Sequence, residues 1–211
     1  MIKPTSTWKS GVTDHETEHT NLVKEHNIKS VIEFGCGAGT EMFLRICESV
    51  TSVELHTSDK ELAQKLPISD DKWMNYYKGY YKDYTNWTPV LIGVTPSIIE
   101  AEWDVTGKGT RGVKRGDDPS SFDFLKDLSK LLDPLDCANY DMAFVDAGIH
   151  LRGDIVNYLF NKVDVITIHD TNGAINQAIY GVNRIKKPDS YNLRRGVTSH
   201  CGLYIYTKKT R

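Results

Sequence analysis

Carboxylates and imidazoles meet twice in this chain just after short apolar bursts: Asp146 and His150 follow the burst 140–145, and His169 and Asp170 follow the burst 163–168. Charged groups are too costly to bury in a cluster without pairing, protonation or a metal ion, so these residue types at two strand ends point to an active site. An imidazole titrates near neutral pH, which makes His150 the first candidate for a general base and Asp170 the second, with Asp146 beside them. The bland alternative is that His150 and His169 merely cap strand ends through hydrogen bonds.

A ligand loop lies upstream. The run Val31-Ile32-Glu33-Phe34-Gly35-Cys36-Gly37-Ala38-Gly39-Thr40 carries an apolar strand into three alternating glycines and then a helix. Glycine lets the backbone turn sharply and approach a ligand without an intervening Cβ, and the helix start offers N–H groups. The spacing is G-x-G-x-G, not the G-x-G-x-x-G of dinucleotide sites, and no Gly-Lys-Ser or Gly-Lys-Thr follows to make a nucleotide triphosphate loop. Glu54 ends the next apolar burst 19 positions after Gly35, where a carboxylate can accept from both hydroxyls of a ribose. After a third burst, Gly93-Val94-Thr95-Pro96-Ser97 offers Ser97 either as a helix N-cap or as a ligand contact.

One motif competes. His15-Glu16-Thr17-Glu18-His19 is a literal H-E-x-x-H, which on a helix places two imidazoles on one face for zinc with Glu16 as base. Thr13 and Glu16 form a capping box for a helix from Asp14 to His26, but that helix is mostly polar and precedes the first strand.

These residues need a scaffold. The bursts 30–34, 50–54, 90–94, 140–145 and 163–168 are short, β-branched and continuous, as strands buried on both faces are. Helical spacing fills 40–48, 58–66, 121–132 and 151–160. Alternation of this kind predicts an α/β fold: a Rossmann-like, doubly wound, mostly parallel sheet with helices on both faces and ligands at the carboxyl ends of its strands. A final strand over 202–207 inserts antiparallel or extends an edge; the pattern leaves both open. Residues 69–88 hold two tryptophans and five tyrosines and read as an insertion forming a satellite core, an acceptor surface or a dimer surface. Residues 105–118 carry four glycines with Lys108, Arg111, Lys114 and Arg115, which describes a loop able to clamp an anion or simply to lie in solvent.

Glu33, Gly35, Gly37, Gly39 and Glu54 together resemble the class I S-adenosylmethionine-dependent methyltransferases, whose first motif reads acidic-x-Gly-x-Gly-x-Gly and whose second ends in an acidic residue. The resemblance covers about residues 28–172. It implies that the glycine loop approaches the amino-acid part of the cofactor, that Glu33 orders the loop and the amine end, that Glu54 holds the ribose and that Ser97 lies against the adenine. The Val-Asp-x-x-x-His and His-Asp stretches resemble a small-molecule O-methyltransferase subgroup, although His150 falls one position later than that subgroup's histidine. In several such relatives the matching carboxylates hold magnesium, so Asp146, His169 and Asp170 are the implied metal residues, with His169 more an orienter than a ligand. The implied reaction is methyl transfer to an oxygen of a small molecule, a sugar or glycan unit among the options. The alternatives are an RNA or protein methyltransferase gripping through the 108–115 loop, and a zinc metallopeptidase built on His15 and His19.

Composition bounds the rest. The 211 residues predict one domain, with 1–27 as a helical cap. Twenty-six basic against twenty-eight acidic residues give a net charge of -2, which speaks against a nucleic-acid partner or a membrane surface. Cys36, Cys47, Cys137 and Cys201 are scattered without a CxxC pair, which predicts a reducing compartment and a soluble, cytoplasmic protein. The oligomeric state stays open, a homodimer included.

Overall fold

A computed structural model describes residues 15–56, 71–93, 103–104, 114–115, 124–147, 152–196 and 201–210. Seven strands form one sheet: β1 (Ser30–Phe34), β2 (Ser49–His56), β3 (Trp87–Gly93), β4 (Met142–Val145), β5 (Val165–His169), β6 (Tyr191–Gly196) and β7 (Leu203–Lys208). Their order across the sheet is β3-β2-β1-β4-β5-β7-β6. The first five run parallel, and β7 enters antiparallel between β5 and β6, pairing Thr167 with Ile205 and Arg194 with Ile205. The expected Rossmann-like, doubly wound sheet is therefore present, and the undecided last strand is an interior one.

Alternation along β1 explains the two layers. Ile32 and Phe34 face one side, where α4 (Phe124–Leu132) and α5 (Arg152–Leu159) supply Leu128, Leu132, Ile155, Val156 and Leu159. Val31 faces the other, where α1 (Glu16–Glu25), α2 (Thr40–Ile46) and α3 (Asp71–Tyr80) supply Leu22, Phe43, Met74 and Tyr77. Fully burying side chains of this size stabilises the fold by roughly 1.5–3 kcal/mol each. A short α6 (Ala174–Ile179) follows β5.

Three expectations need correction. β2 runs to His56, because β3 pairs with it as far as Gly93, so Glu54 lies within the strand instead of ending it. The aromatic stretch 69–88 holds the ten-residue helix α3, whose Met74, Tyr77 and following Tyr81 are buried against the main core, so it is no satellite. Tyr191–Gly196 is a strand that its polar side chains concealed: four of its six residues are exposed, as an edge strand permits. The helix expected at 58–66 lies outside the described residues, as does most of 105–118; within that stretch 114–115 pairs antiparallel with 103–104.

Candidate functional site

The strand order reverses between β1 and β4, and the crevice at their carboxyl ends is where such sheets bind ligands. β1 leaves the sheet through Gly35, at φ +105°, whose N–H donates to the Val53 carbonyl at 2.8 Å. A Cβ at this position would lie 2.4 Å from the backbone oxygen of Asp146, so only glycine lets the loop pass against the end of β4. Around Gly37 nothing lies within 4 Å of where a Cβ would stand, which leaves room for a ligand to approach the backbone.

Both acidic residues of the glycine motif brace this loop. The Cys36 N–H donates to Glu54 Oε2 at 2.9 Å. The Gly37 N–H donates to Thr40 Oγ1 at 3.1 Å, and that hydroxyl donates onward to Glu33 Oε1 at 2.5 Å. Ser52 donates to the same Glu33 oxygen, and the Trp87 indole donates to Ser52 Oγ at 2.7 Å. Burial pushes the Glu33 carboxyl up to about 8, against the pull of the two hydroxyls.

A cavity of about 130 Å³ opens beside the loop, walled by Gly35, Gly37, Gly39, Glu33, Phe144, Asp146, His169 and His15. His15 brings the H-E-x-x-H motif into the site. α1 lies on the sheet so that the His15 ring meets the His169 ring edge-on at 4.6 Å, and His19 sits fully buried between Phe43 and Phe144. His19 Nδ1 lies 3.3 Å from His15 Nδ1, and His19 Nε2 lies 3.0 Å from Thr167 Oγ1. Among the described residues, the group of three potential ligand atoms within 4.8 Å of one another includes neither His15 nor His19. Burial, and then His15, hold the His19 imidazole far below the ordinary histidine value.

The opposite wall is an ion cluster. Arg152, the first residue of α5, places Nη1 2.7 Å from Asp146 Oδ1 and 2.8 Å from Asp170 Oδ2. Its Nε donates to the Ala147 carbonyl at 2.7 Å, Nη1 to the His169 carbonyl at 3.2 Å, and the guanidinium lies 3.9 Å from the Tyr180 ring centroid. His169 Nδ1 stands 3.4 Å from Asp146 Oδ1 and 3.7 Å from Asp170 Oδ1. Burial raises the Asp146 carboxyl, but Arg152 and His169 outweigh it and hold the group below the usual carboxylate range. Burial likewise pulls His169 down, and the Asp146 contact overcomes it and holds the imidazole above its ordinary value. Asp170 adopts φ +59°, a backbone conformation that concentrates at functional sites. The buried His169 Nε2 has no hydrogen-bond partner among the described residues.

Asp146, His169 and Asp170 are thus brought together as the sequence motifs imply, but around a guanidinium. A magnesium ion would have to compete with Arg152 for the same carboxylates, and the third group is an imidazole, so the arrangement does not fit magnesium. Among the described residues, the group whose ligand atoms all lie within 4.8 Å of one another is His169, Asp170 and Cys201, which leaves Asp146 out. His150 and Ser97 lie outside the described residues. Arg152, Trp73 and Tyr81 are the site residues that sequence reasoning missed, while His15 was singled out for zinc and instead lines the cavity. Arg152 had a signal, a lone base in the first turn of an otherwise mostly apolar helix.

No protein-family model and no curated protein sequence matches the chain. Among solved structures it is similar to an Escherichia coli protein assigned as a methyltransferase, at 12% identity and a TM-score of 0.49 over 100% of this chain and 92% of that one. It is also similar to a Klebsiella pneumoniae protein assigned as an O-methyltransferase (11%, TM-score 0.47, 99% and 84%). A third is a Streptococcus pneumoniae protein assigned as a tRNA methyltransferase and solved with S-adenosyl-L-methionine (8%, TM-score 0.40, 92% and 73%). At these scores likeness of shape decides nothing about chemistry, which rests on the residues of the site.

Proposed function

We propose that this chain is a class I S-adenosylmethionine-dependent methyltransferase acting on an oxygen of a small molecule, a sugar or glycan unit among the options. One observation carries the reading: a G-x-G-x-G loop at the switch point opens on a cavity lined by Asp146, whose carboxylate shares one guanidinium with Asp170 behind it. The Asp146 carboxylate, held below the usual carboxylate range, faces this cavity. It suits a cationic sulfonium donor and repels the pyrophosphate of a dinucleotide, whose sites use a different glycine spacing.

The bound donor supplies an activated methyl group, electrophilic because its sulfur carries a positive charge. The residues of this chain align and shield. Open space over Gly37 admits the amino-acid end, and Glu54, braced on Cys36, faces the hydroxyls of the nucleoside end. Asp146, kept ionised by Arg152, contributes negative charge beside the reacting centre. Transfer needs little covalent work from the protein beyond alignment and removal of one proton from the acceptor hydroxyl. His150 and Asp170 are the proposed proton acceptors, and no step is routed through a metal ion.

Calorimetric titration with S-adenosylmethionine, S-adenosylhomocysteine and NAD tests the reading. Micromolar binding of the first two, no binding of NAD, and loss of binding in Glu54→Ala are expected. Absence of binding by either sulfur ligand sinks the proposal.

A further inference from the structure

The glycine loop is held from its outer side by α3, the helix that the aromatic stretch forms. The Trp73 indole N–H donates to the Cys36 carbonyl at 2.6 Å, and the Tyr81 hydroxyl, one residue past the helix, donates to the Gly37 carbonyl at 2.7 Å. Consecutive peptide planes of the loop are therefore clamped. The Cys36–Gly37 plane has its oxygen on Trp73 and its N–H on Thr40 Oγ1. The Gly37–Ala38 plane has its oxygen on Tyr81, and in a trans peptide the N–H points opposite to the oxygen, so the Ala38 N–H is turned away from Tyr81. Ala38 lines the cavity.

Nothing in the packing of α3 requires this. Tyr81 is fully buried and Tyr77 nearly so, but Trp73 is 43% exposed, and among the described residues its directional contacts are the hydrogen bond to the loop and the edge-on ring contact with Tyr77. Glycines at 35, 37 and 39 open many peptide orientations to the loop, and the clamp on its carbonyls complements the contacts of Glu54 and Thr40 with its N–H groups in selecting one of them.

We propose that Trp73 and Tyr81 are positioning residues that preset the loop peptides for the ligand, and that Trp73 senses its arrival. The inference rests on the methyltransferase reading, with S-adenosylhomocysteine as the probe. The variants are Trp73→Phe, which removes the donor from an exposed position, and Tyr81→Phe, which removes one buried hydroxyl and keeps the ring.

Each variant is expected to weaken S-adenosylhomocysteine binding about tenfold, the scale of one lost hydrogen bond to a backbone carbonyl. In the wild type, ligand addition shifts the Trp73 indole N–H resonance and changes tryptophan emission, and Trp73→Phe abolishes the emission change. Without ligand, the Trp73 indole proton exchanges with solvent at least tenfold more slowly than an exposed indole, and the Gly37 amide exchanges faster in Trp73→Phe. Wild-type binding with both variants within twofold of it overturns this inference alone, as does a Trp73 indole exchanging at the exposed rate. No binding by the wild type overturns the methyltransferase reading and this inference with it.

Discussion

Replacing Arg152 by methionine keeps an unbranched side chain but removes the guanidinium that lies over Tyr180 and carries the charge that Asp146 and Asp170 share. Breaking a buried ion pair by deleting one partner costs roughly 3–5 kcal/mol, because the remaining charge stays uncompensated. The Arg152 side chain is 8% exposed, but Asp146 is 32% exposed, so water screens part of the loss and the lower end of that range applies. Two backbone carbonyls, of Ala147 and His169, also lose a donor, at about 1 kcal/mol each. About 5 kcal/mol of lost stability at pH 7 is the expected sum, read from urea unfolding followed by circular dichroism. The loss depends on pH. A carboxyl whose folded value is depressed contributes stability above its unfolded value, and that contribution disappears as pH falls through the folded value. The gap between wild type and variant therefore narrows steadily below the usual carboxylate range. A loss under 1 kcal/mol, or a gap constant from neutral to acid pH, refutes the pairing as the organising charge of this wall.

Three further outcomes follow from the same geometry. Glu33, pushed up to about 8, binds more protons folded than unfolded, so it lowers stability as pH rises from about 4.5 to 8; Glu33→Gln should flatten that decline, seen as a higher urea midpoint than wild type at pH 8 and an equal one at pH 4. His19, held far below 6.5, is neutral when folded, so the wild type loses stability as pH falls below that value, and His19→Phe, set among Phe43 and Phe144, should lose this acid sensitivity in thermal melts from pH 7 to 5. Gly35→Ala meets both a positive φ and a backbone oxygen at 2.4 Å, and should cost at least about 3 kcal/mol or abolish soluble expression.

The scaffold was legible where both faces of a strand are apolar. Residues 30–34 are a strand with the expected bounds because Val31, Ile32 and Phe34 are all buried, and such a run has no other comfortable conformation. Tyr191–Gly196 was hidden because pairing with β7, not its own side chains, makes it a strand. The site was legible in its parts and not in their wiring. Asp146, His169 and Asp170 sit together at the strand ends, but the partner that organises them, Arg152, arrives from the following helix, and spacing in sequence says nothing of where a guanidinium four bonds from its backbone will reach. His15 and His19 carried a metal motif's spacing, yet the helix that spacing describes sends His15 to the cavity and His19 into the core between Phe43 and Phe144.

The insertion of β7 between β5 and β6 governs the order of assembly. Residues 203–208 occupy an inner lane of the sheet, so a chain ending before them leaves β5 with an open edge and β6 with no neighbour to pair with. Residues 203–208 are thus a keystone. The sheet half that bears Asp170 is incomplete without them, and removing this one strand takes a pairing partner from both of its neighbours.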